Sequence, residues 1–125
     1  MAAITLDAGA LIALDRNRRD VIALIARANE RGDRIVIPAG ALAQAMRNPS
    51  KQARLSRLVR QPAIDVVSLD RVDAVRVGRR LAASRTSDVV DAHVVECASR
   101  TGSAVVTTDP DDLRHLDPAL GIVAI

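Results

Sequence analysis

Five short apolar runs of strand length, "AAITL" (residues 2–6), "RIVI" (34–37), "IDVV" (64–67), "SAVVTT" (103–108) and "GIVAI" (121–125), alternate with helical patterns along this chain. That alternation is the strongest restriction on its fold. Strands that are apolar on both faces must be covered on both faces, and helices between successive strands supply the cover. Such connections are also long enough to bring consecutive strands together in parallel. The expected class is therefore α/β, a three-layer sandwich in which a mainly parallel sheet lies between helices.

The helical patterns fill the gaps consistently. One runs from about Ala8 to Leu14, and "RDVIALIARANERGD" places Val21, Ile22, Leu24, Ile25 and Ala28 on one face before Gly32 stops it. Pro38 opens another from about Ala39 to Arg47, Pro49 breaks the chain, and "KQARLSRLVR" forms a second short helix. Further helices are expected from about Leu69 to Ala83, from "TSDVVDAHVVECA" to about Arg100, and briefly near "DDLRHL". At 125 residues the chain is expected to be a single domain, 1–125, burying about two-thirds of its unfolded surface. No run approaches the roughly 18 uncharged residues of a membrane span, and no basic segment precedes a signal-like core, so a cytoplasmic protein is expected.

Ligands of parallel sheets bind beyond the carboxyl ends of the strands. Asp7 follows the first strand directly and Asp109 follows "SAVVTT" directly, so both point toward one crevice. Asp88 and Asp91 open a helix three residues apart, about 60° around its axis, and face the same hollow if that helix begins at the same edge. Capping explains each acid separately, because Asp is a favoured N-cap and the Asp88–Asp91 spacing is that of a capping box. It does not explain convergence. Unpaired carboxylates in one crevice repel and raise one another's pKa unless a cation neutralises them. Oxygen donors alone select a hard ion, magnesium or manganese, whereas zinc would require histidine or cysteine. His93 and His115 lack a second histidine at ligand spacing and read as surface or helix-face packing, and Cys97, the only cysteine, reads as buried filler.

Of the 18 basic residues only Lys51 is a lysine; the rest are arginines, which grip phosphate bidentately and suit an RNA partner. The chain has no Phe, Tyr or Trp, so any stacking of bases falls to arginine planes. Arg47, Lys51, Arg54, Arg57 and Arg60 recur every three or four residues as a basic stripe that can contact phosphates. The plainer reading is a solvated face, with Leu55, Leu58 and Val59 turned to the core or a partner. No G-x-S-x-G elbow, phosphate loop or dinucleotide fingerprint offers rival chemistry.

Taken together, "ITLDAGALIALD", "VIPAGALAQAMR", "SDVVDAHVVECA" and "AVVTTDPDDLRHL" resemble the motifs of PIN domain nucleases, and among them of the VapC toxins of bacterial toxin–antitoxin pairs. The resemblance covers essentially the whole chain. It implies a Mg2+- or Mn2+-dependent endoribonuclease that hydrolyses RNA phosphodiester bonds without a side-chain nucleophile. It carries catalytic and metal-ligand roles onto Asp7, Asp91 and Asp109, with Asp112 as an additional acid, and it implies a homodimer and a small antitoxin that blocks the crevice. There is one departure. The second motif of the family usually supplies a glutamate, and Gln44 stands at that position. An amide can bind a cation through its oxygen but neutralises nothing. Asp88, one turn before Asp91, restores the acid count if it joins the metal site; otherwise it is a plain N-cap and the site is weakened. Three readings follow: an active ribonuclease toxin, which is the expected one; a catalytically weakened PIN domain that binds RNA or protein; and an α/β protein whose acids only cap helices.

Overall fold

Every one of the five apolar runs is a strand in the computed structural model, which describes residues 2–125. Strand β1 (Ala3–Leu6) leads into helices α1 (Ala8–Asp15) and α2 (Arg19–Arg31). Next, β2 (Arg34–Pro38) leads into α3 (Ala39–Ala45), a 3-10 turn (Pro49–Lys51) and α4 (Ala53–Val59). Strand β3 (Ile64–Val67) is followed by α5 (Arg71–Ser84) and α6 (Val89–Thr101), then β4 (Ala104–Thr107), α7 (Pro110–Leu116) and β5 (Ile122–Ala124). Gly32 and Gly102 end α2 and α6 at φ of 71° and 63°, the left-handed conformation that glycine adopts without a Cβ penalty.

The strand order is β3-β2-β1-β4-β5, and all four neighbouring pairs are parallel, so the sheet is wholly rather than mainly parallel. The chain winds outward from β1 through β2 and β3, then crosses to the other side for β4 and β5. The reversal lies between β1 and β4. Sheets of this kind bind ligands beyond the carboxyl ends at such a reversal. Leu6 pairs with Val106 in register, and the Asp7 N–H donates to the Val106 carbonyl at 3.4 Å. Asp7 and the Thr107–Asp109 segment therefore leave the sheet side by side.

Leu6, Ile35, Ile37, Val105 and Val106 on the central strands are fully buried. Helices α1, α2 and α4 pack on one another through Leu11, Leu14, Val21, Ile25, Leu55 and Leu58 to form one layer, and α5, α6 and α7 form the other. In α6 the whole run from Ala92 to Ala98 is buried, because this helix lies against the sheet and is covered by α5 and α7. Its polar residues therefore need internal partners. Glu96 accepts from Arg80 Nε at 2.7 Å and from Arg76 at 3.4 Å, and His93 Nε2 lies 2.8 Å from Asp73 Oδ2. Arg100 closes the group by donating to both oxygens of Asp73. Hydrogen bonding from Arg100, helped by His93 and opposed by burial, holds the Asp73 carboxyl below its ordinary range. Among the described residues no helix is long and apolar enough to cross a membrane.

Candidate active site

The acids at the β1/β4 reversal are placed by helix starts. Asp7 ends β1 and caps α1, its Oδ1 accepting from the Ala10 N–H at 2.9 Å. It is 7% exposed, and burial pushes its carboxyl above the ordinary value, against hydrogen bonds from Thr107, Ala10 and Gly9. Asp88 caps α6 and accepts from the Asp91 N–H at 3.0 Å. Asp109 occupies the cap position of α7 but makes no side-chain capping bond; its own N–H donates to Thr107 Oγ1 at 2.9 Å. Asp112 lies in the first turn of the same helix.

Asp91 shows that these residues share one field. Burial, followed by the charges of Asp88, Asp112, Asp7 and Asp109, pushes its carboxyl up to about 6. Asp109 is raised as well, first by its hydrogen bond with Asp112 and then by burial and neighbouring acids. Among the described residues, no arginine, lysine or histidine forms an ion pair with any of these five aspartates. A hollow of about 320 Å³ is lined by Thr86, Ser87, Asp88, Asp91, Asp112, His115 and Leu116.

The donor set fits a hard divalent cation. It is all oxygen and strongly anionic, and burial together with the neighbouring charges makes one carboxyl resist ionisation. Among the described residues, no three of these aspartates bring one oxygen each within 4.8 Å of one another. That spread suits an ion such as Mg2+, which retains several waters and needs only a few direct carboxylate contacts. The one tight group of potential ligands among the described residues is Asp73, His93 and Cys97. There Arg100 already neutralises Asp73, and burial pushes the Cys97 thiol up to about 11, so it stays protonated. That group is a buried α5–α6 link, and Cys97 is the buried filler its sequence position suggests.

Gln44 is not among the residues that line the acidic hollow. It lines a separate hollow of about 280 Å³ with Ile12, Asp15, Arg16, Ala45, Arg47 and Gln52, and its side chain makes no hydrogen bond among the described residues. The basic stripe is also divided. Arg47 lines the Gln44 hollow, whereas Arg54 and Arg57 border an apolar groove of about 390 Å³ formed by Leu14, Ile22, Ile25 and Leu58. Lys51 ends the 3-10 turn and Arg60 ends α4.

Two neighbours of the acids, both within "AVVTTDPDDLRHL", have parts that the sequence does not single out. The Thr107 hydroxyl links Asp7 to the Asp109 backbone. His115 lines the acidic hollow, and its Nε2 lies 3.0 Å from the Ser84 carbonyl, an acceptor that places the ring proton on that nitrogen. Its place within "DDLRHL", in the helix that Asp109 opens, is the one signal in the sequence that points to it.

The PIN domain family model matches residues 4–117. No curated protein matches the chain in sequence. Among solved structures, VapBC2 from Rickettsia felis bound to a DNA fragment from its promoter superposes with a TM-score of 0.71 at 10% identity, covering 98% of each chain. FitAB bound to an IR36 DNA fragment gives 0.67 at 13% identity over 97% of this chain and 94% of that one. FitAcB from Neisseria gonorrhoeae gives 0.63 at 17% identity over 95% of both.

Proposed function

The chain belongs to the PIN domain family, and we propose that it is a Mg2+- or Mn2+-dependent endoribonuclease, the toxin of a toxin–antitoxin pair. The observation that carries this reading is the gathering of five aspartates at the β1/β4 reversal, none paired with a basic residue among the described residues, with the Asp91 carboxyl pushed up to about 6 by burial and the other four. Asp7, Asp91 and Asp109 are the principal holders of the cation, and Asp88 and Asp112 add charge at its margin. Bound there, the ion supplies Lewis acidity and activation of water for in-line attack on a phosphodiester. The protein's part is placement: β1 and β4 fix Asp7 and Asp109, Thr107 orients both, and α6 presents Asp91.

The partner of such a toxin is a small antitoxin, as the resemblance to the VapC toxins implies. The groove between Leu14, Ile22, Ile25 and Leu58, rimmed by Arg54 and Arg57, suits an apolar segment carrying acidic residues. A homodimer in the cytoplasm belongs to the same reading. A second reading, a weakened PIN domain acting as a binding module, draws on Gln44, whose amide adds no charge to the aspartates.

Calorimetric titration of Mn2+ into the metal-free protein tests the site. Wild type is expected to bind, and Asp109→Asn to bind at least tenfold more weakly. Asp88→Asn separates the two roles of that residue. Asn caps nearly as well as Asp, so its melting temperature should change little. A severalfold loss of Mn2+ affinity would place Asp88 in the metal site, and unchanged affinity would leave it a cap. Unaltered binding in both variants would remove the aspartates from any metal site.

A further inference from the structure

We propose that Arg16, Gln44 and Arg47 form a nucleotide-binding subsite that receives the RNA beside the bond being cut; this rests on the ribonuclease reading above. Two hollows adjoin along α1. The first, about 220 Å³, is lined by Gly9, Ile12, Ala13, Arg16, Arg18 and Thr108. The second is the Gln44 hollow, which shares Ile12 and Arg16 with it. The two hollows thus lie on either side of shared walls, Ile12 and Arg16. The first is walled by Thr108, next to Asp109, and by Gly9, two residues after Asp7, and Arg16 lies roughly 10 Å from Gly9 at helical rise. Gly9 lets Thr108 pack directly against the start of α1, because a Cβ there would collide with Thr108 Oγ1.

The two hollows hold unspent recognition groups. Arg18 is paired with Asp20 at 2.7 Å, but among the described residues Arg16 and Arg47 pair with no carboxylate. Arg47 Nε donates to the Gln44 carbonyl at 2.9 Å, which fixes the guanidinium beside the hollow and leaves both terminal amino groups without a partner among the described residues. Gln52 is held in place, its oxygen accepting from the Arg47 and Asn48 N–H groups and its nitrogen donating to the Ala45 carbonyl at 2.8 Å. Asp15, the one carboxylate in the lining, accepts from the Leu55 N–H at 3.4 Å and so faces α4. What remains is two guanidiniums, a free amide and the apolar surface of Ile12. Those groups match a nucleotide: arginines on phosphate, a base over Ile12 with an arginine plane in place of the missing aromatic, and the amide on the base edge. A Gln amide grips the N6/N7 edge of adenine with two bonds, so adenine is the favoured base. Gln44 thus reads the substrate, and a carboxylate at the same place would repel its phosphates.

The test is fluorescence anisotropy of labelled single-stranded oligo(A) and oligo(U) with the full chain in EDTA, across a range of salt. Arg16→Ala/Arg47→Ala should bind at least tenfold more weakly at low salt. Its slope of log affinity against log salt should fall by about 1.4, since each phosphate that a basic residue neutralises on a single strand adds about 0.7 to the slope. Arg16→Gln/Arg47→Gln, which keeps a long polar side chain, should do the same if the alanine variant melts early. Gln44→Leu should keep the slope and lose the preference for oligo(A). Unchanged slope in the arginine variants overturns the subsite, as does a slope that falls only with Arg54→Ala/Arg57→Ala. An equal oligo(A)-to-oligo(U) ratio in wild type and Gln44→Leu overturns the base contact. RNA binding that depends on Arg16 and Arg47 in a protein that cuts nothing with Mg2+ overturns the nuclease reading alone.

Discussion

Asp91→Asn should raise the melting temperature of the metal-free protein at pH 7 while reducing Mg2+-dependent RNA cleavage by at least two orders of magnitude. Opposite signs for stability and activity are what separate a metal-site acid from a cap. The folded protein keeps a proton on Asp91 up to about 6, whereas the unfolded chain releases it near 3.8. Between those values the folded state binds more protons, so stability falls as pH rises through the window and the full penalty is present above it. A shift of this size corresponds to about 3 kcal/mol if the group were wholly buried; for a partly exposed carboxyl, solvent screening leaves about 1–2 kcal/mol. In a domain of this length that is roughly 4–8 °C. Thermal melts in EDTA at pH 7 and pH 4.5 measure it. The gain from Asp91→Asn should be present at pH 7 and smaller at pH 4.5, and comparing the two proteins at each pH cancels carboxylates such as Asp73 that titrate in both. A variant less stable than wild type at pH 7 would make Asp91 a structural residue.

Asp73→Ala should have the largest stability effect of any single change considered, a loss of about 3 kcal/mol or more, because it strips a buried, hydrogen-bonded charge of its place between Arg100 and His93. Asp73 is 2% exposed and His93 1% exposed, and among the described residues the Nδ1 atom of that histidine has no partner. Removing the carboxylate leaves the ring with no partner at either nitrogen except the Cys97 sulfur at 3.6 Å. Asp73→Asn retains an acceptor but not the charge, and should fall between. Urea denaturation followed by circular dichroism reads the difference; a loss below about 1 kcal/mol for Asp73→Ala would mean that the α5–α6 link adds little.

The strands and most helices are legible because apolar runs and turn residues are local signals. Where the expectation shifts, a distant side chain is responsible. Helix α3 ends at Ala45 rather than near Arg47, since Gln52 reaches back to take the Arg47 and Asn48 N–H groups and the Ala45 carbonyl. The same turn breaks the register of the basic stripe, so Arg47 faces the Gln44 hollow and Arg54 and Arg57 face α2. A spacing of three or four residues predicts a common face only within one uninterrupted helix.

At the site, Asp7 and Asp109 are readable as strand-end acids, and the start of α6 is readable for Asp88 and Asp91. The role of His93 is not. Its packing on a helix face follows from the sequence, but its partner Asp73 lies 20 residues earlier on α5, in a segment with no motif. Thr107 is likewise invisible, because a threonine at a strand end is ordinary until the register of β1 on β4 sets it between two aspartates. Gln44 is legible as a departure from the motif, while its surroundings depend on the turn made by Gln52.

The most direct measurement uses the purified protein, freed of any partner and stripped with EDTA, mixed with a set of end-labelled structured RNAs. The RNAs are expected to stay intact until Mg2+ or Mn2+ is added and then to be cut at discrete positions, with cutting stopped again by excess EDTA. Intact RNA at every ion concentration, with a protein that melts cooperatively and binds Mn2+, would contradict the nuclease account and leave a metal-holding PIN domain that serves as a binding module.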